Sequence, residues 1–413
     1  MATIIKNIGL LATPTGVMAQ SGDAQGAIQL IPDTYIAVKD GVIEEVGKAG
    51  SSRDWQGGEA DTVVDAQGLL VTPGLVDAHT HLLFAGWRQR ELALKLQGMS
   101  YLDILAQGGG ILHTVEKTRA ASLEELLDQG MKSLDIMLAH GTTTCEVKSG
   151  YGLTTEAELK SLRVVRQLGR QHAVDIVPTF MGAHAIPVEY KGRSAEYVRL
   201  LCEEMIPLVA EERLAEFCDV FCETGVFTVE ESREILECGK RCGLLPKIHA
   251  EEITALGGAE LAGKVKATSA EHLIHADDNG LDAMAAANVI AVLLPGTSFY
   301  LGEAFARAKD MIDRGIAVAV ASDFNPGSCP NESLQIPMNI ACLKYRLTPE
   351  QVLTAATLNG AAAINRSGST GSIEPGKLGD IVIWNAPDLN FLFYHWGVNL
   401  VKTVVKRGKR VVG

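Results

Sequence analysis

An excess of positive charge, a dense set of cysteines, long apolar runs and repeats are all missing from this sequence, and each absence argues against a class of function. Its 413 residues include 37 Lys and Arg against 50 Asp and Glu, a formal net charge of −13. Nucleic-acid affinity rests on Lys and Arg neutralising phosphates, so this balance argues against a nucleic-acid partner and against an anionic membrane surface. No apolar run reaches the roughly 20 residues of a membrane span. The stretch Met1 to Leu11 holds one lysine and no small-residue cleavage site, so no signal peptide is expected. Eight cysteines in such a chain are too sparse for a disulfide scaffold, which leaves reduced thiols and a cytoplasmic location as the expectation. Cys218 with Cys222, and Cys238 with Cys242, have spacings that a metal could use. Cysteine commonly behaves as a small buried apolar residue, however, and core packing is the expectation for both pairs. There is no internal repeat or low-complexity tract.

What is present is a soluble globular composition, 47% hydrophobic and 21% charged, in a chain too long for one ordinary domain unless that domain is a large α/β barrel. The first seventy residues read as strands. Tyr35 to Val46 alternates around Asp40-Gly41, a favoured hairpin pair, and Val63 to Val71 leads into Thr72-Pro73-Gly74. Short apolar runs then recur at Gly74–His81, Thr142–Lys148, Val174–His184, Phe217–Thr224, Leu244–Glu251, Thr268–Leu273, Val289–Leu294 and Ile316–Asp323. Helical patterns such as Ser122 to Ala139 and Ala195 to Glu212 lie between them, and a capped helix opens at Thr348-Pro349-Glu350-Gln351 and runs to about Ala363. About eight strand-plus-helix units is the count of a (β/α)8 barrel. After Gly371 strands return at Asp380–Trp384 and Leu400–Lys406. The expected architecture is therefore a barrel over residues 73–369, with a small discontinuous β-sandwich domain built from residues 1–72 and 370–413.

The strongest chemical signal is His79-Thr80-His81 at the end of the first barrel strand. Residues two apart on a strand share a face, and barrel active sites lie at the C-terminal ends of strands. Alone, the pair could be two solvated histidines. But His249 ends the run Lys247-Ile248, His272 ends Ser269-Ala270-Glu271, and Asp323 ends Val318–Ser322. Polar groups repeated at the ends of apolar strands are poorly explained by packing, because an unpartnered buried carboxylate costs several kcal/mol. Histidines and an aspartate around one divalent ion offset that cost. The donors suit Zn²⁺ or Fe²⁺ better than Ca²⁺ or Mg²⁺, and they leave a position where water could be activated.

Two longer strings make the signal specific. Val71-Thr72-Pro73-Gly74-Leu75-Val76-Asp77-Ala78-His79-Thr80-His81 and Gly371-Ser372-Ile373-Glu374-Pro375-Gly376-Lys377-Leu378-Gly379-Asp380 resemble signatures of the amidohydrolase superfamily, and the resemblance spans nearly the whole chain. It implies that His79, His81, His249 and Asp323 bind the catalytic metal. Binuclear members carry a carboxylated lysine on the fourth strand. The matching run Phe217–Glu223 has no lysine, which points to a single ion. Lys148, on the second strand, is expected to have a structural or substrate-side role.

Further stretches, namely His81–Arg90, Gly108-Gly109-Gly110-Ile111, Glu146–Gly152, Thr179–His184, His249–Glu252 and Asp323–Ser328, are similar to one branch of that superfamily, hydrolases that open an imidazolone ring bearing a propionate tail in the breakdown of histidine. The similarity implies that Arg88, Tyr151 and His184 contact the substrate, and that Asn325, Gly327 and Ser328 line its pocket. It also implies that Glu252 and His272, with Asp323, act on the water and the reacting ring, to give N-formimino-L-glutamate. An Arg fork matches a carboxylate, which an acidic protein needs if it binds an anion; the plain alternative for Arg88 is a solvated surface group. Glu252 could equally favour a helix start. Gly108–Gly110 lacks the lysine of a phosphate loop and is expected to be a mobile loop over the pocket. The rival functions are a cyclic-amidine deaminase on the same barrel, which would not need Arg88, and a non-catalytic assembly protein, against which the complete ligand set speaks. A homodimer is expected, as the commonest assembly.

Overall fold

The computed structural model describes residues 2–49, 62–99 and 109–413; Gly108 of the glycine run lies outside the described residues. Short, largely apolar strands alternate with helices, and this pattern builds the central parallel sheet. Its neighbours come in strict chain order: β6 (Leu75–Asp77), β7 (Thr142–Lys148), β8 (Asp175–Ala183), β9 (Phe217–Cys222), β10 (Leu245–Ala250), β11 (Ser269–His272), β12 (Ile290–Leu293) and β13 (Val318–Val320). The sheet closes on itself just past β6 and β13. There Thr80 and Phe324 form a parallel bridge, His79 O accepts Asp323 N at 3.0 Å, and Phe324 O accepts His81 N at 2.9 Å. Cys145 and Val147, Cys218, Val220 and Cys222, Ile248 and Ala250, and Ala270 face the surrounding helices in the main apolar core. Cys238 joins them from its helix, so the paired cysteines Cys218, Cys222 and Cys238 pack as small apolar residues.

Strands from the two ends of the chain form a second sheet. These are β1 (Ala2–Thr13), β2 (Gln29–Lys39), β3 (Val42–Lys48), β4 (Thr62–Asp65), β5 (Leu70–Pro73), β14 (Ile381–Trp384), β15 (Val401–Lys406) and β16 (Lys409–Val412), in the order β16-β15-β14-β5-β1-β2-β3 with β4 paired to β1. Asp40 and Gly41 both have positive φ, 50° and 85°, as a two-residue hairpin turn of the primed type requires. The sheet curls: β3 is bonded back to the segment before β14, Ile43 N to Lys377 O and Gly376 N to Ile43 O, each at 2.8 Å. Ile5, Ile36, Val71, Ile381, Ile383 and Val405 fill the space inside the curl. The opposite parity, Leu70, Val382, Trp384 and Val404, joins the barrel's core instead. Both faces of this sheet are thus buried, one on itself and one on the barrel.

Two helices differ from the sequence expectation. The Ala195–Glu212 pattern is interrupted: helix Ser194–Leu200 passes through a wider π turn, Leu201–Met205, before Ile206–Glu211. Pro207 has no backbone N–H to offer the normal ladder there. The helix opening at Thr348, with a full capping box between Thr348 and Gln351, stops at Ala355 and restarts at Leu358–Ala363. The break frees the carbonyl of Ala356 to accept Val76 N at 2.8 Å, which ties this helix pair to the first barrel strand. Among the described residues no helix is long and apolar enough to cross a membrane.

Trp384 is fully buried and donates its indole N–H to Thr72 Oγ1 at 2.9 Å, where the terminal sheet meets the barrel. Trp384→Ala should cost about 3–5 kcal/mol, read as a clear fall in the thermal midpoint with helix content retained. An unchanged midpoint would show that this face contributes little to stability.

Candidate metal centre and its pocket

Inside the barrel, β7, β9, β10 and β11 carry charged residues at inward positions, while Val76, Val177, Val292 and Ala319 of other strands pack as an apolar cluster. Glu146 and Lys148 on β7, Asp219 on β9, Lys247 on β10 and Glu271 on β11 have fully buried side chains. Lys148 Nζ lies 2.7 Å from both Glu146 Oε2 and Asp219 Oδ2. Lys247 Nζ lies 2.8 Å from Glu146 Oε1 and 3.5 Å from Glu271 Oε1. β7 and β10 are not neighbours, so these side chains meet across the barrel interior. Burial works against the charge of Lys148, but Asp219, Glu146 and Glu271 outweigh it and hold its ammonium above its ordinary range. Lys148 therefore belongs to a structural layer beneath the site.

His79, His81, His249, His272 and Asp323 lie directly above. His79 Nε2 and His81 Nε2 lie 3.4 and 3.6 Å from the same oxygen, Asp323 Oδ1. His249 Nε2 lies 3.3 Å from His81 Nε2, and the His79 and His249 rings are 4.5 Å apart. His79, His81 and Asp323, and separately His79, His249 and His272, place donor atoms within 4.8 Å of one another. Both nitrogens of His79 and Nδ1 of His81 are buried without a hydrogen-bond partner among the described residues. Buried imidazoles left in that state carry a desolvation cost that a divalent cation removes, so the donor set fits one. Burial, followed by neighbouring cationic groups, pushes His79 and His272 well below the usual imidazole range. Neutral imidazoles are the form that binds metal. A third cluster, Asp219 with His249 and Glu271, already has Lys148 and Lys247 as its cations.

Two of these side chains, His249 and Asp323, are held from behind. His249 Nδ1 lies 3.1 Å from Asp219 Oδ1; a carboxylate there accepts, so Nδ1 carries the proton and Nε2 is turned to the centre. Thr297 Oγ1 donates to Asp323 Oδ2 at 2.5 Å, which leaves Oδ1 for the histidines. Glu251, His272 and Asp323 have left-handed backbones, φ 57°, 69° and 53°, a conformation that non-glycine residues adopt at a cost and that clusters at functional sites.

Around the rim, His184 stacks on His81 with ring centres 4.7 Å apart, and Tyr151 lies 5.2 Å from His184. Burial, and then the nearby His249, lower His184 to about 3. Its Nδ1 lies 3.2 Å from Gly150 O, a pure acceptor, so Nδ1 is the donor and Nε2 is an acceptor. Gly150, at φ 115°, leaves no room for a Cβ, which would stand 2.8 Å from Met181 O and 3.0 Å from His184 Nδ1. Glu252 Oε2 is 3.5 Å from His272 Nε2. Burial, reinforced by Asp323, Glu223 and Glu303, raises the Glu252 carboxyl to about 8. Asn325 is wholly engaged in its own loop, donating to Asp323 O and Ser328 Oγ and accepting from Gly327 N and Ser328 N at 2.7–2.8 Å; its amide shapes the loop that carries Gly327 and Ser328. Arg88 is mostly buried and paired with Glu91, not solvated.

Asp219, Thr297 and Glu91 were not singled out from the sequence. A lone Asp in Phe217-Cys218-Asp219-Val220-Phe221, and a hydroxyl just past the seventh strand in Leu294-Pro295-Gly296-Thr297, were the available signals. Glu91 gave none beyond standing three residues after Arg88.

Residues 70–411 match the amidohydrolase family. Over 412 residues the chain is 53% identical to the imidazolonepropionase of Alkaliphilus metalliredigens (strain QYMF), covering 99% of this chain and 97% of that protein. Over 411 residues it is 50% identical to that of Bacillus velezensis, with 99% and 97% covered. Among solved structures, guanine deaminase from E. coli aligns with a TM-score of 0.74 at 15% identity, covering 100% of this chain and 99% of that one. An adenosine deaminase from Xanthomonas campestris with bound zinc aligns at 0.72 and 19%, covering 99% and 92%. At those identities the likeness is one of fold.

If the centre is a metal site oriented by Asp219, His249→Ala should lose stoichiometric metal while keeping the fold. Asp219→Asn should weaken metal affinity about 10–100-fold, measured by chelator competition. Wild-type affinity in both variants would remove the metal assignment.

Proposed function

This chain belongs to the amidohydrolase family, and from that premise we propose that it carries out the imidazolonepropionase reaction, hydrolysing the cyclic-amide C–N bond of 4-imidazolone-5-propionate to N-formimino-L-glutamate. The observation that carries this reading is the joining of two sites through one loop: Asp323, in the His/Asp centre, begins the segment whose Gly327 packs against Arg88. A reacting ring and a carboxylate tail can thereby be held at once. Relatives about half identical over nearly the full length carry that name.

A divalent ion held by His79, His81, His249 and Asp323, zinc or iron by the character of the donors, supplies Lewis-acid chemistry there, acidifying water and polarising a carbonyl oxygen. The protein's own groups do the rest. Arg88 pairs with the propionate. Nε2 of His184 accepts a ring N–H, and Tyr151 packs beside it. Water oxygen adds to the ring carbonyl carbon while Glu252, backed by His272, takes its proton. The C–N bond then breaks, its electron pair stays on nitrogen, and Glu252 returns the proton to that nitrogen. The raised proton affinity of the Glu252 carboxylate suits it to take the water proton, and the developing nitrogen anion then takes it back.

Incubation with imidazolone propionate, followed by its ultraviolet absorbance, tests the activity directly; an unchanged spectrum with metal-loaded protein would reject it. Glu252→Gln should retain metal and lose about 10²–10⁴-fold in kcat. Little change would move the proton transfer to His272 or Asp323. Arg88→Met should lower kcat/KM at least about tenfold, chiefly through KM, since a charged hydrogen bond contributes roughly 1.5–3 kcal/mol. A ring without the tail should be a poor substrate and insensitive to that change. Efficient turnover of the tailless ring by the wild type would favour a cyclic-amidine deaminase.

A further inference from the structure

The arginine assigned to the substrate tail is itself gripped on two sides. Arg88 Nε donates to Glu91 Oε1 at 3.0 Å and Nη2 donates to Glu91 Oε2 at 2.9 Å, a two-pronged pair with both side chains only 8% exposed. Glu91 Oε1 also accepts Gly110 N at 2.7 Å, which ties the pair to the start of the helix Ile111–Ala120. On the other side, a Cβ at Gly327 would stand 2.0 Å from Arg88 Nη1 and 2.5 Å from its Cζ. Gly327 is not among the glycines of positive φ, so its backbone would accept a side chain. It is the arginine that excludes one.

These two contacts constrain the guanidinium differently. A guanidinium has two edges that each offer a pair of parallel donors. Glu91 takes the edge made by Nε and Nη2. The edge made by Nη1 and Nη2 is the one on which a ligand carboxylate can lie in a matched fork, and Gly327 stands against Nη1. A single cation between two carboxylates attracts an anion less than an unpaired one would, so Glu91 lowers the raw attraction while fixing its direction. In a site that already holds Glu252 and Asp323, an arginine free to swing could be drawn toward either of these carboxylates.

We propose that Glu91 and Gly327 are positioning residues that set selectivity for a carboxylate-bearing ring, Glu91 by locking one edge of Arg88 and Gly327 by making room for the guanidinium. The inference rests on the reading that Arg88 binds the tail. If direction outweighs attraction, two unlike changes at Glu91 have the same effect. Glu91→Gln removes the charge and sets an N–H against an N–H; Glu91→Asp keeps the charge and withdraws it along the side chain.

The test compares imidazolone propionate with a ring lacking the tail, on metal-loaded wild type, Glu91→Gln, Glu91→Asp, Gly327→Ala and Arg88→Met. Each Glu91 variant should raise KM for the tailed ring at least about fivefold, with kcat within about twofold, and leave the tailless ring unaffected; Gly327→Ala should raise KM for the tailed ring at least as much. Combined with Arg88→Met, none should add a further loss. The dissociation constant of an unreactive imidazole propionate, by calorimetry, should shift in parallel. A KM for the tailed ring that is unchanged or lower in Glu91→Gln would overturn the proposal, as would equal losses on both rings or full additivity with Arg88→Met. Should the Glu91 variants not fold, Gly327→Ala decides alone. If Arg88→Met itself affects both rings equally, the tail reading fails and this inference fails with it, an outcome distinct from a sensitive Arg88 beside an indifferent Glu91.

Discussion

The ammonium of Lys148, with both its carboxylate partners in the closed interior of the barrel, sets a condition that the surrounding strands must meet. Removing one member of a buried ionic layer strands its partner's charge, which is far costlier than losing an exposed ion pair. Glu146, Lys148, Asp219, Lys247 and Glu271 therefore fix the relative register of β7, β9, β10 and β11. The same layer reaches upward through one contact: Asp219 divides its two oxygens between Lys148 and His249 Nδ1. The lysine thus determines where the aspartate sits, and the aspartate determines which nitrogen of His249 faces the centre.

Closure of the barrel imposes the second constraint. The backbone bonds that join the first and eighth strands run through His79 and His81 on one side and Asp323 and Phe324 on the other. Misplacing the ligands would require opening the barrel. This rigidity accommodates left-handed backbones at His272 and Asp323, which a freer loop would relax.

Much of this was legible in the sequence because it is local. Short apolar runs marked all eight barrel strands, and polar residues at the ends of four of them marked His79, His81, His249, His272 and Asp323. What escaped is pairwise and distant. Asp219 lies 71 residues from Lys148 and 30 from His249, and a single aspartate in an apolar strand does not say which group completes it. Thr297 becomes meaningful only when Asp323 is seen 2.5 Å away. The breaks in the Ser194–Glu211 and Thr348–Ala363 helices depend on Pro207 and on the Val76–Ala356 bond; the first could be read from sequence, the second could not. The amide of Asn325 is spent on the turn that carries Gly327, a use that the sequence alone does not show.

Loops that carry substrate groups above such a frame need their own restraint, since loops lack the ladders of strands. Here a buried or half-buried carboxylate supplies it three times by accepting backbone N–H groups. Glu158 takes those of Gly150, Gly152 and Leu153 around Tyr151. Glu223 takes those of Ile253 and Thr254 beside Glu252. Glu91 takes that of Gly110 while holding Arg88. Each carboxyl group bonds its surroundings at two or more points, so each loop is held more firmly than its length suggests. Of the three, Glu91 also holds an arginine, so the bond that steadies its loop fixes where a substrate carboxylate would pair.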